Sequence, residues 1–429
     1  MRDFLKLKYK VESIMIISLP FFMIFSRFIL EFFLLIISTS FLIKVIRKKE
    51  YRVFYNNFFI FFLGIYFILL LSFVFSEVKE DTLSILFYFR YGLYVFAIYY
   101  FLKEEENLIN YFLQTVTIII LILFFDSLIQ YFFGYNLAGF KNAEVHRITS
   151  FFGNEQILGS YVVKLFPFLL LHRHLTNERY KKTNYITILA IFVAPIIVFL
   201  SGERTSIVLF FLMLVYFLIF FIKSKKFRFI YFYVVFVIFT IGTLLYNSNV
   251  YYDRYVNQTL ESLFDKDGGG NRHFLPEEYF KKNNFYILSA QHQNLIYTGM
   301  KIFKENKFLG TGPKSYRYIC ADDNYKINFL SCNTHSHNYY LQALIETGSL
   351  GFMFLLLTYF YIAYRSVKNF IKILRNQNYN LSEVIILGFY ITQLWPLMQH
   401  GSLFNNWVSI VLFLPMSFFL FIKEKKNEI

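Results

Sequence analysis

Charge is scarce in this sequence: 17% of its 429 residues are Asp, Glu, Lys or Arg, where a soluble domain carries about a quarter. That shortage excludes a soluble globular enzyme. With 57% apolar residues and few Gly (18) or Pro (7), a disordered chain is excluded as well. Cysteine is nearly missing, two in all, so the chain is no disulfide scaffold. What abounds instead is apolar length. About a dozen runs approach the roughly 20 residues needed to cross a bilayer. The chain reads as a polytopic membrane protein.

Lys and Arg (43) outnumber Asp and Glu (28), giving a formal net charge of +15. In a membrane protein that excess belongs to basic cytoplasmic loops, and nucleic acid is not expected as a partner. The 59 Phe and 35 Tyr accompany abundant Ile, Lys and Asn, all encoded by AT-rich codons, so the aromatic excess reads as genomic bias. Residues 1–10 are basic and lead into an apolar stretch, 13–25, with no small-residue cleavage site after it. This reads as an uncleaved first span.

The apolar windows predict twelve helical spans: 13–27, 28–44, 58–76, 84–102, 108–130, 155–171, 185–201, 205–222, 227–246, 348–365, 382–399 and 407–422. Helices satisfy their own backbone hydrogen bonds in lipid, so an all-α bundle is expected. Twelve spans put both termini on one side. The connections on that side, 44–52, 172–182, 223–228, 364–375 and 423–426, are rich in Lys and Arg; only 103–107, with three Glu, is weak. The positive-inside rule makes that side cytoplasmic. The division expected is 1–246 (spans one to nine), 247–347 (a large extracytoplasmic loop) and 348–429 (the last three spans and the tail). No internal repeat favours an inverted-repeat transporter.

Four charges fall inside predicted spans: Glu31, Arg90, Asp126 and Lys164. Such groups are costly unless paired or facing water, so they point either to an outward-facing polar cavity or to structural ion pairs. The outward loops carry more pointed groups. Arg147 precedes Ser150-Phe-Phe-Gly-Asn154, and Arg204 closes Ser201-Gly-Glu-Arg204, a turn short enough to hold its guanidinium at the membrane interface. A planar fork of donors suits phosphate oxygens, although a lone interfacial Arg is more often a plain anchor.

The densest polar cluster is Asn333-Thr-His-Ser-His-Asn-Tyr-Tyr340. His335 and His337 alternate, and Asn338 can cap the helix that follows. No Asp, Glu or Cys stands nearby at ligand spacing, so no metal and no cofactor are expected. Residues 339–347 carry Gln342 and Glu346 and read as an interfacial helix; Gly348 and Gly351 then open the span on one face. The two cysteines, Cys320 and Cys332, stand twelve residues apart in the outward loop, where an oxidising compartment favours a disulfide.

His337-Asn338, nine residues and then Gly348-Ser-Leu-Gly351 resemble the signature of the O-antigen ligases and the related O-antigen polymerases. Arg147 with Gly153-Asn154, Ser-x-x-Arg204 and Lys307-Phe-Leu-Gly-Thr-Gly312 are similar to further family segments, and the resemblance runs from about 130 to 365. It implies an integral membrane glycosyltransferase of the metal-independent GT-C type in the bacterial inner membrane, its active site facing the periplasm. The donor implied is a glycan on undecaprenyl diphosphate. The acceptor is a sugar hydroxyl of lipid A-core for a ligase, or a second lipid-linked glycan for a polymerase; the ligase reading is preferred because its motif match is the stronger. Carried over by residue, His337 is the catalytic candidate. Arg204 and Arg147 contact the diphosphate, with His335 and Asn338 beside them. Where many members carry a second loop Arg this chain has His292, so Arg254, Arg272 or a protonated His292 would stand in. A flippase and a structural lipid-binding protein are the rival classes.

Overall fold

The computed structural model describes residues 10–142, 147–176, 181–221, 227–264, 289–327 and 330–427. Arg272 and the 265–271 turn lie outside them. The described chain is helical throughout, with one isolated bridge between Tyr135 and Lys141. We number the principal helices α1 Val11–Phe25, α2 Arg27–Lys48, α3 Asn57–Val74, α4 Phe89–Glu104, α5 Asn107–Phe133, α6 Leu158–Thr176 and α7 Lys181–Leu200. The rest are α8 Arg204–Phe221, α9 Phe227–Asn247, α10 Ala290–Glu305, α11 Tyr339–Leu374, α12 Leu381–Gln393 and α13 Asn406–Asn427.

Among the described residues six helical stretches are long and apolar enough to cross a membrane: α2, α3, Leu83–Glu104, α5, α11 and Asn406–Glu424. α1, Tyr185–Leu200, Arg204–Phe220 and α12 are apolar but shorter. The chain is therefore a multi-pass membrane protein, with six full-length spans among its described residues, or seven if the bent pair Tyr231–Asn247 and Asn249–Leu263 is one span, against twelve expected windows. The window 382–399 differs most, because α12 ends at Gln393 and 394–405 is irregular. Pro396 has no N–H and disfavours helical backbone at Trp395. The carbonyls freed there, those of Pro396 and Met398, accept from the Asn338 amide at 2.7 and 3.0 Å.

Polar residues at helix starts fix the boundaries. Ser26, Asn56, Ser289, Asn338 and Asn380 each accept a backbone N–H of the helix they precede. One large apolar core joins the bundle helices; a small second one, Leu295, Ile302, Tyr316, Cys320 and Ile345, holds α10 and the cysteine tract against α11.

The intramembrane charges have structural partners. Arg90 Nε lies 3.0 Å from Glu31, with the Tyr91 hydroxyl bridging them. Asp126, fully buried, accepts from Asn136 Nδ2, the Leu137 N–H and the Ser150 hydroxyl, and so ties the 134–142 loop to Ser150. Lys164 is buried, 5.4 Å from the Trp407 ring centroid.

Candidate active site

Backbone approach builds the floor of the site. Gly348 breaks α11 with φ 64° and ψ −165°, between the interfacial turns and the long apolar part. Into that break docks 307–312. Ser349 N–H donates to Lys307 O at 2.8 Å, Thr311 N–H to Ile345 O at 3.0 Å and Gly312 N–H to Glu346 O at 2.9 Å. A Cβ on Gly310 would stand 2.5 Å from the backbone of Glu346 to Gly348, and one on Gly348 would overlap the Phe308 carbonyl. Glycine is therefore required on both sides of this contact. Buried Glu346 receives the N–H groups of Lys314 (2.8 Å) and Tyr316 (3.2 Å), locking the following tract in place. Cys320 and Cys332 form a disulfide with Cα atoms 5.2 Å apart, which leads the chain into the histidines.

Asn338 caps α11 through Oδ1, accepting from Tyr340 and Leu341 N–H, while its amide holds the 394–405 segment. Both ends of this side chain are hydrogen-bonded within the fold, so it orders the approach to His337. The residue before it, His337, has φ 57°, an uncommon backbone for a non-glycine residue. Its carbonyl accepts His400 N–H at 2.8 Å, which supports that conformation. The imidazole is half-buried, and Asn333 Nδ2 donates to its Nε2 at 2.9 Å, leaving Nε2 as the basic nitrogen.

Three rings gather here. His335 lies 4.1 Å and His292 5.7 Å from His337, centroid to centroid. Burial lowers the pKa of His337 below the ordinary value. Burial and the neighbouring His337 push His335 down to about 4. Burial, His337 and Arg204 do the same to His292. Burial thus favours the neutral ring at all three positions and works against a protonated His292 standing in for an arginine. Ser289 Oγ lies 2.6 Å from His292 Nδ1 and orients the ring. Among the described residues, no group of three or more His, Cys, Asp or Glu is placed to hold a metal.

The arginine side is built from the end of α7. Its last carbonyls lack helical donors. Tyr255 OH donates to Phe199 O (2.6 Å), and Tyr251 OH (3.0 Å) and Ile148 N–H (3.3 Å) to Leu200 O. This lays the helical stretch after Asn249, bent 107° from α9, across the 201–204 turn. Arg204 starts α8 and donates from Nη1 to Gln258 O at 3.0 Å, with Thr259 and Ser262 hydroxyls at 3.4 and 3.3 Å. Its Nε and Nη2 find no partner among the described residues and are free for a ligand. Arg147 and Arg204 are close enough to repel, and Arg204 in turn acts on His292. Arg254 is buried beneath the turn, donating to Gly202 O (3.1 Å) and Gln258 Oε1 (2.8 Å), so it braces Arg204's platform.

Residues 188–356 match the family model described as O-antigen ligase. Over this segment the chain is O-antigen ligase-like. No curated protein matches it. The matched stretch contains Arg204, the glycine segment, His335 and His337, the same residues whose contacts form the floor and walls above; Arg147 lies before it. The structure also brings in residues that spacing did not single out. Asn333 polarises the His337 ring, and His400, stacked 4.3 Å on Tyr339, supports it from 63 positions away in sequence. Glu203 accepts the Gly159 and Ser160 N–H groups at 2.6 and 3.1 Å, pinning the start of α6 beside Arg204.

Proposed function

We propose that the protein is a membrane glycosyltransferase of the O-antigen ligase type. It moves a glycan from undecaprenyl diphosphate to a sugar hydroxyl of lipid A-core at the outer face of the inner membrane. The observation that carries this reading is a half-buried His337 whose Nε2 accepts from Asn333 at 2.9 Å, with the His292 ring 5.7 Å away and Arg204 within electrostatic reach of His292. The acceptor hydroxyl takes the place of the Asn333 amide at Nε2 and gives up its proton as its oxygen attacks the anomeric carbon. A base with a pKa near or below neutral is already deprotonated for this task. The bond to the diphosphate breaks, and the free nitrogens of Arg204, with the charge of Arg147, stabilise the departing oxygens. In this reading both termini are cytoplasmic, twelve segments cross or enter the bilayer, and 247–347 with its histidines faces the periplasm.

A second reading is polymerisation onto another lipid-linked glycan. It is favoured by Arg317, exposed and within electrostatic reach of His335, where a second anionic headgroup would be received. Deletion followed by glycan analysis separates the two: loss of all capped core marks a ligase, whereas cores bearing a single repeat mark a polymerase. Unchanged glycans would overturn both.

A further inference from the structure

A cavity of about 730 Å³ opens between α3, α11, α12 and α13, and no histidine lines it. Its walls are apolar, from Leu69 and Leu355 to Phe413 and Leu420, and its inner end reaches Thr347 and Gly351. Its other end is charged. Arg52, Arg365, Lys423 and Glu424 line that mouth. Glu424 is taken by Lys103 at 2.7 Å and Arg365 by Glu383, whereas Arg52 and Lys423 are exposed and have no acidic partner among the described residues.

We propose that this groove is a binding site for an anionic phospholipid, with its acyl chains between α3 and α11 and its headgroup on Arg52 and Lys423. Charge complementarity selects this occupant. The two cations stand at the pole where α2 and α13 end, opposite the histidines, so they would meet nothing on a prenyl chain whose phosphates lie beside Arg204. Juxtamembrane cations attract anionic lipid by about 1 kcal/mol each, and long apolar walls supply the rest. The occupant would also press on the face of α11 that carries Gly351, three residues beyond the Gly348 break on which the floor of the site rests.

The test uses full-length protein in nanodiscs of mixed phosphatidylglycerol and phosphatidylcholine, with retained lipids counted by native mass spectrometry. At about 1 kcal/mol for each cation, the expected result is a preference for phosphatidylglycerol of roughly tenfold or more. Arg52→Glu with Lys423→Glu should abolish the preference without changing the melting temperature in detergent or the binding of undecaprenyl diphosphate. Thr358→Trp, which fills the groove from α11, should lower retention of both lipids while leaving the cations in place. Equal retention of the two lipids by the native protein would overturn the proposal. So would complete displacement of phosphatidylglycerol by undecaprenyl diphosphate, since the groove would then belong to the donor's tail.

Discussion

Where α2, α4 and α13 end, cations meet acids. Lys10, Lys44 and Lys48 all reach Glu104, at 3.2, 3.4 and 2.8 Å, and Lys103 reaches Glu424 at 2.7 Å. At the opposite pole one such pair remains, Arg27 with Glu155 at 2.8 Å, but the groups around the histidines differ. Arg147 and Arg204 stand together and repel, burial lowers the pKa of three histidines, and Glu203 is occupied with the backbone of α6. Paired surface charge is worth little and binds nothing further. Two cations held close together repel, and an anion bound between them would relieve that repulsion. In the proposed reading Arg204 serves a ligand while ion pairs, including Arg27–Glu155 on the same side, serve the fold, and Arg52 and Lys423 are exceptions at the groove mouth.

The largest effect that would sharpen this contrast is at His337. His337→Ala should reduce turnover by roughly 10²–10⁴-fold, the usual worth of a general base, while binding of a lipid-diphosphate donor persists. Purified, folded variant with near-native transfer would remove His337 from the chemistry. Next comes Arg204→Ala, for which a lost charge-assisted hydrogen bond of about 1.5–3 kcal/mol corresponds to roughly 10–100-fold in donor affinity or leaving-group departure. Arg204→Lys should rescue only part, because the fork is lost. Full rescue by Lys would mean that charge alone, without the fork, acts there.

Removing the cysteine bridge tests how far the loop pole depends on a staple. Cys332→Ser should destabilise the small core of Leu295, Tyr316 and Ile345 by about 2–4 kcal/mol, read as faster hydrogen exchange in α10. Unchanged exchange would show that the docking of 307–312 on Gly348 holds the tract unaided.

Acid should affect the two poles unequally. Histidines with folded pKa values of about 4, below the ordinary 6.5, bind fewer protons folded than unfolded. Stability therefore rises with pH across that window: the penalty grows as pH falls from about 6.5 to about 4 and is constant below it. His400, lowered to about 3 by burial, extends the loss further. With neutral His337 as the proposed base, the acid limb of turnover should fall below the ordinary histidine range, because burial lowers its pKa. A pH–rate profile still climbing above pH 7 would contradict the buried, neutral base.

Much of this was legible in the sequence, for local reasons. The membrane class follows from run length, the start of α11 from Asn338 as a cap, and the break before the long span from Gly348. Pro396 after Trp395 was a readable stop signal outweighed by the apolar window around it. Other features were hidden because their partners are remote in the chain. Glu31 and Arg90 are 59 residues apart, and neither position names the other. Asn333 sits four residues before His337, yet nothing in that spacing shows that its amide points at Nε2. The two glycine segments carry the family signature separately; that Gly310 and Gly348 need their bareness for the same contact emerges only when the chain folds.

The smallest expected effect lies at the paired pole. Lys48 Nζ touches Glu104 at 2.8 Å and the Tyr100 hydroxyl at 3.1 Å, but half of its side chain is exposed. Lys10 and Lys44 still reach the same carboxylate when Lys48 is gone, so Glu104 is not left without a counter-charge. An exposed ion pair with such redundancy contributes at most about 1 kcal/mol. Lys48→Gln should accordingly shift the melting temperature slightly and leave glycan transfer at its native rate, with the shift shrinking as salt screens the pair. Should Lys48→Gln cost as much activity as Arg204→Ala, the division between structural and ligand-facing charge would fail, because a neutralised cation far from the histidines would then be as necessary as an unpaired one beside them.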